Sequence, residues 1–132
     1  MDKYDVDILT ARAAETRKYS QAKYSNFSVG AALLTDKDEI VTGCNVESSS
    51  YSLTICAERV ALTKALSDGK TKFKAIAIAA KDNQFCPPCG ACRQLLYDYA
   101  PGIDIILTDG KSNKIYKLTE LLPHAFEDSQ LG

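Results

Sequence analysis

A short apolar run at residues 73–80 (FKAIAIAA) constrains the fold more than any other feature of the sequence. The run is apolar on both faces, so the strand that it predicts must be covered on both sides by other elements. A helical pattern precedes it at residues 56–66, and another follows it at residues 90–99. Because helices flank a central apolar strand, we predict a sheet with helices packed against it.

The remaining segments fit the same architecture. Residues 5–22 predict an amphipathic helix, and the other apolar or β-branched runs predict strands at residues 29–35, 40–46, 103–108 and 114–118. The predicted fold class is therefore α/β, as a three-layer α/β/α arrangement with a mixed β-sheet of about five strands. A chain of 132 residues has the size of one ordinary domain, so we expect a single domain over residues 1–132.

Charge and hydropathy exclude several classes of function. Sixteen Lys and Arg residues stand against 17 Asp and Glu residues, and the two signs are interleaved along the chain. Binding to a nucleic-acid polymer depends on a concentrated positive surface, so we expect a small, roughly neutral substrate instead. Apolar runs are shorter than the ~20 residues of a membrane span, and the first residues are polar. We therefore expect a cytoplasmic protein with no membrane partner.

Five cysteines carry the strongest chemical signal in the chain. Their odd number, without an export signal, argues against a secreted disulfide framework. Three of them, Cys86, Cys89 and Cys92, have the spacing Cys-x-x-Cys-x-x-Cys. In a reducing compartment this spacing is typical of metal or redox chemistry.

Two cysteine-containing segments each open a predicted helix, at residues 54–59 (TICAER) and 88–93 (PCGACR). The partial positive charge of a helix N-terminus stabilises the thiolate that a metal requires. Cys89 and Cys92 lie three residues apart, so their sulfur atoms share one face of the first turn. Cys56 could complete a three-thiolate zinc site, which would leave a fourth position for water as in catalytic zinc sites.

Two further residues follow Cys56 directly. Glu58 would place a carboxylate beside the open position, where it could carry protons without being a ligand. Three thiolates leave a Zn²⁺ site with a net charge of about −1, which weakens the metal as a Lewis acid. Arg59 is a candidate to hydrogen-bond the thiolates and restore part of that electrophilicity.

Other interpretations of the cysteines remain open at this point. The Cys86-Pro87-Pro88-Cys89 segment at a helix start resembles a thiol oxidoreductase motif. A structural zinc module would use Cys86 as a fourth ligand, which would close the site to water. Each of these alternatives leaves Glu58 without a role.

Cys-Ala-Glu followed by Pro-Cys-x-x-Cys is the signature of zinc deaminases. Over nearly its whole length, the sequence resembles cytidine deaminases of the small homotetrameric type. The matching segments, in the same order along the chain, are 24–34 (YSNFSVGAALL), 43–47 (GCNVE), 56–59 (CAER), 88–93 (PCGACR) and 120–126 (ELLPHAF).

The resemblance implies a catalytic domain with one zinc ion per chain, held by Cys56, Cys89 and Cys92, with Glu58 as the general acid and base. It implies a hydrolase of pyrimidine salvage that converts cytidine, and also 2′-deoxycytidine, to uridine or deoxyuridine and ammonia. Arg59 would neutralise part of the ligand charge. Within the deaminases the nearest rival is a blasticidin S deaminase, of similar size and with a similar zinc site.

The resemblance also implies the contacts to the substrate. Asn45 and Glu47 would bind the ribose hydroxyls, and Phe27 would pack against the base or the sugar. Tyr51 and Phe126 would reach the site of a neighbouring subunit in a homotetramer. By default, without the resemblance, Asn45 and Glu47 would be ordinary loop residues at a strand end, and Phe27 would belong to the core.

Overall fold

The computed structural model describes residues 4–81 and 84–127. In this part of the chain the helices and strands are, in order, α1 Val6–Thr16, β1 Gly30–Thr35, β2 Ile40–Cys44, α2 Ala57–Ser67, β3 Phe73–Ala79, α3 Gly90–Tyr99, β4 Asp104–Thr108, β5 Asn113–Lys117 and α4 Leu118–Leu121. Short 3₁₀ turns lie at Arg17–Tyr19 and Tyr51–Leu53. No helix among the described residues is long and apolar enough to cross a bilayer.

The strands form one mixed sheet in the order β2-β1-β3-β4-β5. The central pair β3 and β4 is parallel, with Ala75 opposite Asp104, and the other pairs are antiparallel. The parallel pair requires a crossover connection, which α3 supplies. The predicted mixed five-stranded sheet is confirmed.

Side chains that alternate along the central strands build two separate cores. On β1, Ala31 and Leu33 pack in the core that contains α2 and α3. Ala32 and Leu34 point to the opposite face, where they pack with Leu9 of α1. Because successive residues of a strand face opposite sides, both faces of the sheet are covered. The predicted three-layer arrangement is confirmed, with α1 on one side and α2 and α3 on the other.

The first helix is shorter than the predicted range of residues 5–22. Asp5 caps its start by accepting a hydrogen bond from the Ile8 backbone N–H, and regular helix ends at Thr16. Gln21 instead pairs with Val46, two residues beyond the end of β2, as an isolated bridge. Residue 21 is therefore extended and not helical. The helix propensity of residues 5–22 could not predict this, because the pairing depends on a distant residue.

Candidate metal centre and active site

Three cysteines from two helix starts come together at one end of the sheet. The sulfur atoms of Cys56, Cys89 and Cys92 all lie within 4.8 Å of one another. The Sγ atoms of Cys56 and Cys89 are 3.9 Å apart, and those of Cys89 and Cys92 are 3.3 Å apart. All three are free thiols. We call these three residues the cysteine cluster.

The helix starts determine where the sulfur atoms point. Cys56 is the N-cap of α2 and Cys89 is the N-cap of α3. The Cys89 sulfur accepts a hydrogen bond from the backbone N–H of Cys92 at 3.4 Å. Two helix N-termini therefore direct positive dipole ends at the cluster, which favours thiolates there.

The pKa values of two thiols in the cluster, Cys56 and Cys92, shift in opposite directions. A hydrogen bond with Cys92 lowers the pKa of the Cys56 thiol, and Arg59 lowers it further. The same hydrogen bond, together with burial, raises the pKa of Cys92. These shifts favour a thiolate at Cys56 and a protonated thiol at Cys92, so a metal that binds both sulfur atoms must displace the Cys92 proton.

Arg59 lies beside the cysteine cluster. One guanidinium nitrogen, Nη2, donates to the Thr54 carbonyl at 3.1 Å and lies 3.8 Å from the Cys56 sulfur. Its Nε is buried and has no hydrogen-bond partner among the described residues. The guanidinium therefore places positive charge next to the Cys56 sulfur, where it can offset part of the negative charge of the three cysteine thiolates.

Glu58 occupies the first turn of α2 and is only 5% exposed. Burial raises the pKa of its carboxyl group to about 7, and the negative charge of Cys56 acts in the same direction. A carboxyl group that titrates near neutral pH can both accept and donate a proton under physiological conditions. The structure therefore places a group suited to proton transfer next to the cysteine cluster.

Asn45, which follows β2, lies in a dense hydrogen-bond network. Its Oδ1 accepts from the Val29 backbone N–H at 3.0 Å and from the Ser20 hydroxyl. Its Nδ2 donates to the Phe27 carbonyl at 2.9 Å and to a Glu47 carboxylate oxygen at 3.5 Å. Asn45 therefore ties the segment before β1 to the end of β2, a structural task that the sequence analysis did not assign to it.

The Glu47 carboxylate is also engaged by its surroundings. Its Oε1 accepts from the backbone N–H groups of Tyr24 and Ser25, both at 3.0 Å, and its Oε2 accepts from the Ser25 hydroxyl. These hydrogen bonds lower the pKa of Glu47 and keep it ionised. Ser25 belongs to the 24–34 segment quoted above, but nothing in that segment by itself indicated a contact with Glu47.

The remaining predicted residues lie around this region with different exposures. Phe27 is half-buried and packs against the core on the α2 side. Tyr51 is 83% exposed and Phe126 is 50% exposed. Cys86 is half-buried, and burial together with the charges of Glu58, Cys56 and Cys89 raises its pKa. The raised pKa favours the protonated thiol, and Cys86 is not among the three cysteines whose sulfur atoms lie within 4.8 Å of one another.

Comparison with known proteins agrees with this site. The model of the cytidine and deoxycytidylate deaminase zinc-binding region matches residues 5–106. A cytidine deaminase of Sporosarcina psychrophila is 43% identical over 130 residues, which cover 97% of this chain and 96% of that protein. The crystal structure of a cytidine deaminase from Burkholderia pseudomallei has a TM-score of 0.89 and 39% identity, and covers 93% of this chain and 100% of that one.

The rival assignment, a blasticidin S deaminase, also has a relative among known proteins. A blasticidin-S deaminase of Bacillus cereus is 32% identical over 105 residues, which cover 72% of this chain and 74% of that protein. Its identity and its coverage are both lower than those of the Sporosarcina cytidine deaminase. The resemblance found in the sequence is confirmed, and this chain is a member of the cytidine and deoxycytidylate deaminase family of zinc-binding enzymes.

Proposed function

We propose that this protein is a zinc-dependent hydrolase that converts cytidine and 2′-deoxycytidine to uridine and deoxyuridine, with release of ammonia. The observation that carries the proposal is the cysteine cluster, with sulfur atoms within 4.8 Å of one another, beside the buried Glu58, which is only 5% exposed. A redox pair or a closed zinc module would have no use for a buried carboxyl group that titrates near neutral pH.

Cys56, Cys89 and Cys92 would hold the zinc ion. Three sulfur donors suit zinc, and they leave a fourth coordination position open to water. When bound, zinc supplies Lewis acidity that activates a water molecule for attack on C4 of the pyrimidine. Arg59 supports this chemistry through its contact with the Cys56 sulfur, because the positive charge withdraws electron density from the thiolate.

Glu58 moves the protons of the reaction. Its carboxylate would take a proton from water and deliver it to N3 of the base. It would then take the remaining proton of the hydroxyl now bound to C4 and give it to the amine, so that the C4–N bond breaks, ammonia leaves and the C4 carbonyl forms. The pKa of about 7, which applies to the protein without metal, suits a group that acts first as base and then as acid. Burial in the first turn of α2 holds the carboxyl group in one place and shields the proton from bulk water.

Asn45 and Glu47 bind the sugar. Both side chains lie just beyond the end of β2, and a hydrogen bond of 3.5 Å joins the Asn45 amide to Glu47. The Glu47 carboxylate can accept a hydrogen bond from the 3′-hydroxyl, which cytidine and 2′-deoxycytidine share. Phe27 packs against the base or the sugar. A substrate hydroxyl must compete with the Ser25 hydroxyl for the same carboxylate oxygen.

We propose that each chain forms a single catalytic domain over residues 1–132 and that four chains assemble into a homotetramer. We propose that the enzyme acts in the cytoplasm, in pyrimidine salvage. The exposed rings of Tyr51 and Phe126 support it, because large aromatic side chains are enriched at protein interfaces. In the tetramer these two rings would reach the site of a neighbouring subunit. We propose no nucleic-acid polymer and no membrane as a partner. The net charge of only −1 argues against the nucleic-acid polymer, whose binding needs a concentrated positive surface.

The test is a comparison of kcat/KM for cytidine, 2′-deoxycytidine, cytidine 5′-monophosphate and blasticidin S. Loss of the cytidine absorbance band, with one ammonia released per uridine formed, is the expected result for the two nucleosides. We expect the monophosphate to be a poor substrate, because no cluster of Lys and Arg adjoins the matching segments. A higher kcat/KM for blasticidin S than for cytidine would replace the proposed substrate class with the rival one.

A further inference from the structure

Gly43 lies at the contact between β2 and the helix start that carries the catalytic groups. It is buried in β2, paired with Ala31 of β1. A Cβ atom built at Gly43 would lie 2.5 Å from the Ala61 backbone nitrogen and 2.7 Å from the Ala57 carbonyl oxygen, both in α2. Gly43 has no positive φ, so the close approach of α2, and not an unusual backbone conformation, requires glycine here.

This contact joins the two halves of the proposed site. The Ala57 carbonyl belongs to the peptide that continues into Glu58, and Cys56 precedes it directly. On the other side, Gly43 lies two residues before Asn45 and four before Glu47. The distance between β2 and α2 at Gly43 therefore sets the distance between the groups that bind the sugar and the groups that act on C4.

We propose that Gly43 is a positioning residue for deamination, because its lack of a side chain lets the sugar-binding strand end approach the metal-binding helix closely. The inference rests on the proposed function. An alanine at this position meets backbone atoms on α2, which cannot turn aside as a flexible side chain can. Ordinary contact begins at 3.4 Å, so strand and helix must separate by about 1 Å.

A separation of this size affects substrates in different ways. Cytidine spans both halves of the site, so a shift between them spoils the alignment of C4 when the sugar is bound. A displacement of about 1 Å can reduce a rate by up to about 10²-fold. Free cytosine has no sugar and needs only the half that carries Glu58 and the cysteine cluster. A loss confined to overall stability would reduce the active fraction for both substrates equally.

A matched control lies on the neighbouring strand. Gly30 of β1 is buried opposite Cys44 of β2. Its missing Cβ would meet α1, on the other face of the sheet, at 2.0 Å from the Ala13 carbonyl oxygen. Gly30→Ala therefore creates the same kind of clash away from α2. Leu9→Ala, in the same α1 core, replaces this control if Gly30→Ala does not fold.

The experiment measures kcat/KM for cytidine and cytosine with zinc-loaded wild type, Gly43→Ala and Gly30→Ala, with rates divided by the zinc bound per chain. We expect the cytidine-to-cytosine ratio to fall about tenfold or more in Gly43→Ala, and to stay within about twofold of wild type in Gly30→Ala. If Gly43→Ala does not fold, Ala61→Ser adds one atom to the buried α2 residue whose backbone nitrogen forms the contact, and we expect a fall of about threefold.

An unchanged ratio in Gly43→Ala, or in Ala61→Ser where that variant takes its place, overturns the positioning role. An equal fall in the α1-side control also overturns it. Wild type that leaves cytidine intact with one zinc bound would instead refute the proposed function, and this inference with it. The wild-type rate on cytidine thus tests the proposed function, and the cytidine-to-cytosine ratio in the variants tests the positioning role of Gly43.

Discussion

Replacing Glu58 with Gln tests both the proton-transfer role and the electrostatic cost of burying this carboxyl group. Glutamine has nearly the same shape but neither ionises nor transfers a proton, so we expect kcat to fall by at least about 10²-fold while bound zinc is retained. Activity above about a tenth of the wild-type value would refute the catalytic assignment. The metal-free chain offers a second, independent readout.

We expect metal-free Glu58→Gln to be more stable than metal-free wild type. The reason is that the pKa of Glu58 is about 7 in the folded protein, against an ordinary value of 4.5. Below pH 4.5 the carboxyl group is protonated in both states, so Glu58→Gln has little electrostatic effect. As the pH rises from 4.5 to 7, the folded wild type holds a proton that the unfolded chain has released, and its stability falls. Above pH 7 the full penalty is about 3 kcal/mol, and the variant lacks it.

Urea unfolding of the metal-free proteins, with thiols kept reduced, measures this difference between pH 5 and pH 8. We expect the free energy of unfolding of Glu58→Gln to exceed that of wild type by a margin that grows with pH and levels off above pH 7. A difference that stays constant over this range would show that the buried carboxyl group does not titrate there, and would refute the reasoning.

Three further predictions follow from the site. Alanine at any member of the cysteine cluster lowers the zinc content measured by mass spectrometry, whereas Cys86→Ala retains one zinc per chain; equal loss in Cys86→Ala would indicate a closed four-thiolate site. Glu47→Ala lowers kcat/KM for cytidine sharply and that for cytosine little, and an unaffected cytidine rate would remove Glu47 from the sugar site. Asn45→Ala leaves the Val29 N–H and the Phe27 carbonyl unpaired and costs about 2–4 kcal/mol in urea unfolding; a change below about 0.5 kcal/mol would show that its network is not structural.

The central elements of the fold could be predicted because their local patterns agree with their tertiary surroundings. The predicted helix at residues 90–99 coincides with α3, Gly90–Tyr99, and the apolar run at 73–80 contains β3, Phe73–Ala79. Apolar periodicity reports burial, and both elements are held by burial. The early end of α1 could not be predicted, because it depends on a backbone pairing between Gln21 and Val46, 25 residues apart.

Some features of the site could likewise be predicted from the sequence, and others could not. Cys56 and the Cys-x-x-Cys pair could be predicted as a metal site because such a site needs particular side chains at particular spacings within a helix start. The proton-transfer role of Glu58 stays a prediction. The engagement of Glu47 by Ser25 and the close contact between Gly43 and α2 left no such signal. Both depend on how distant segments approach each other, which spacing along the chain does not encode.

The central claim, a catalytic zinc site that deaminates cytidine, is tested most directly by zinc titration of the metal-free enzyme with cytidine turnover as the readout. We expect no turnover without metal, a rise in proportion to added zinc, and a plateau at one zinc per chain. Thiol concentration and pH stay fixed, because the cluster releases protons when the metal binds. Full cytidine turnover without zinc, or none with one zinc bound per chain, would contradict the account.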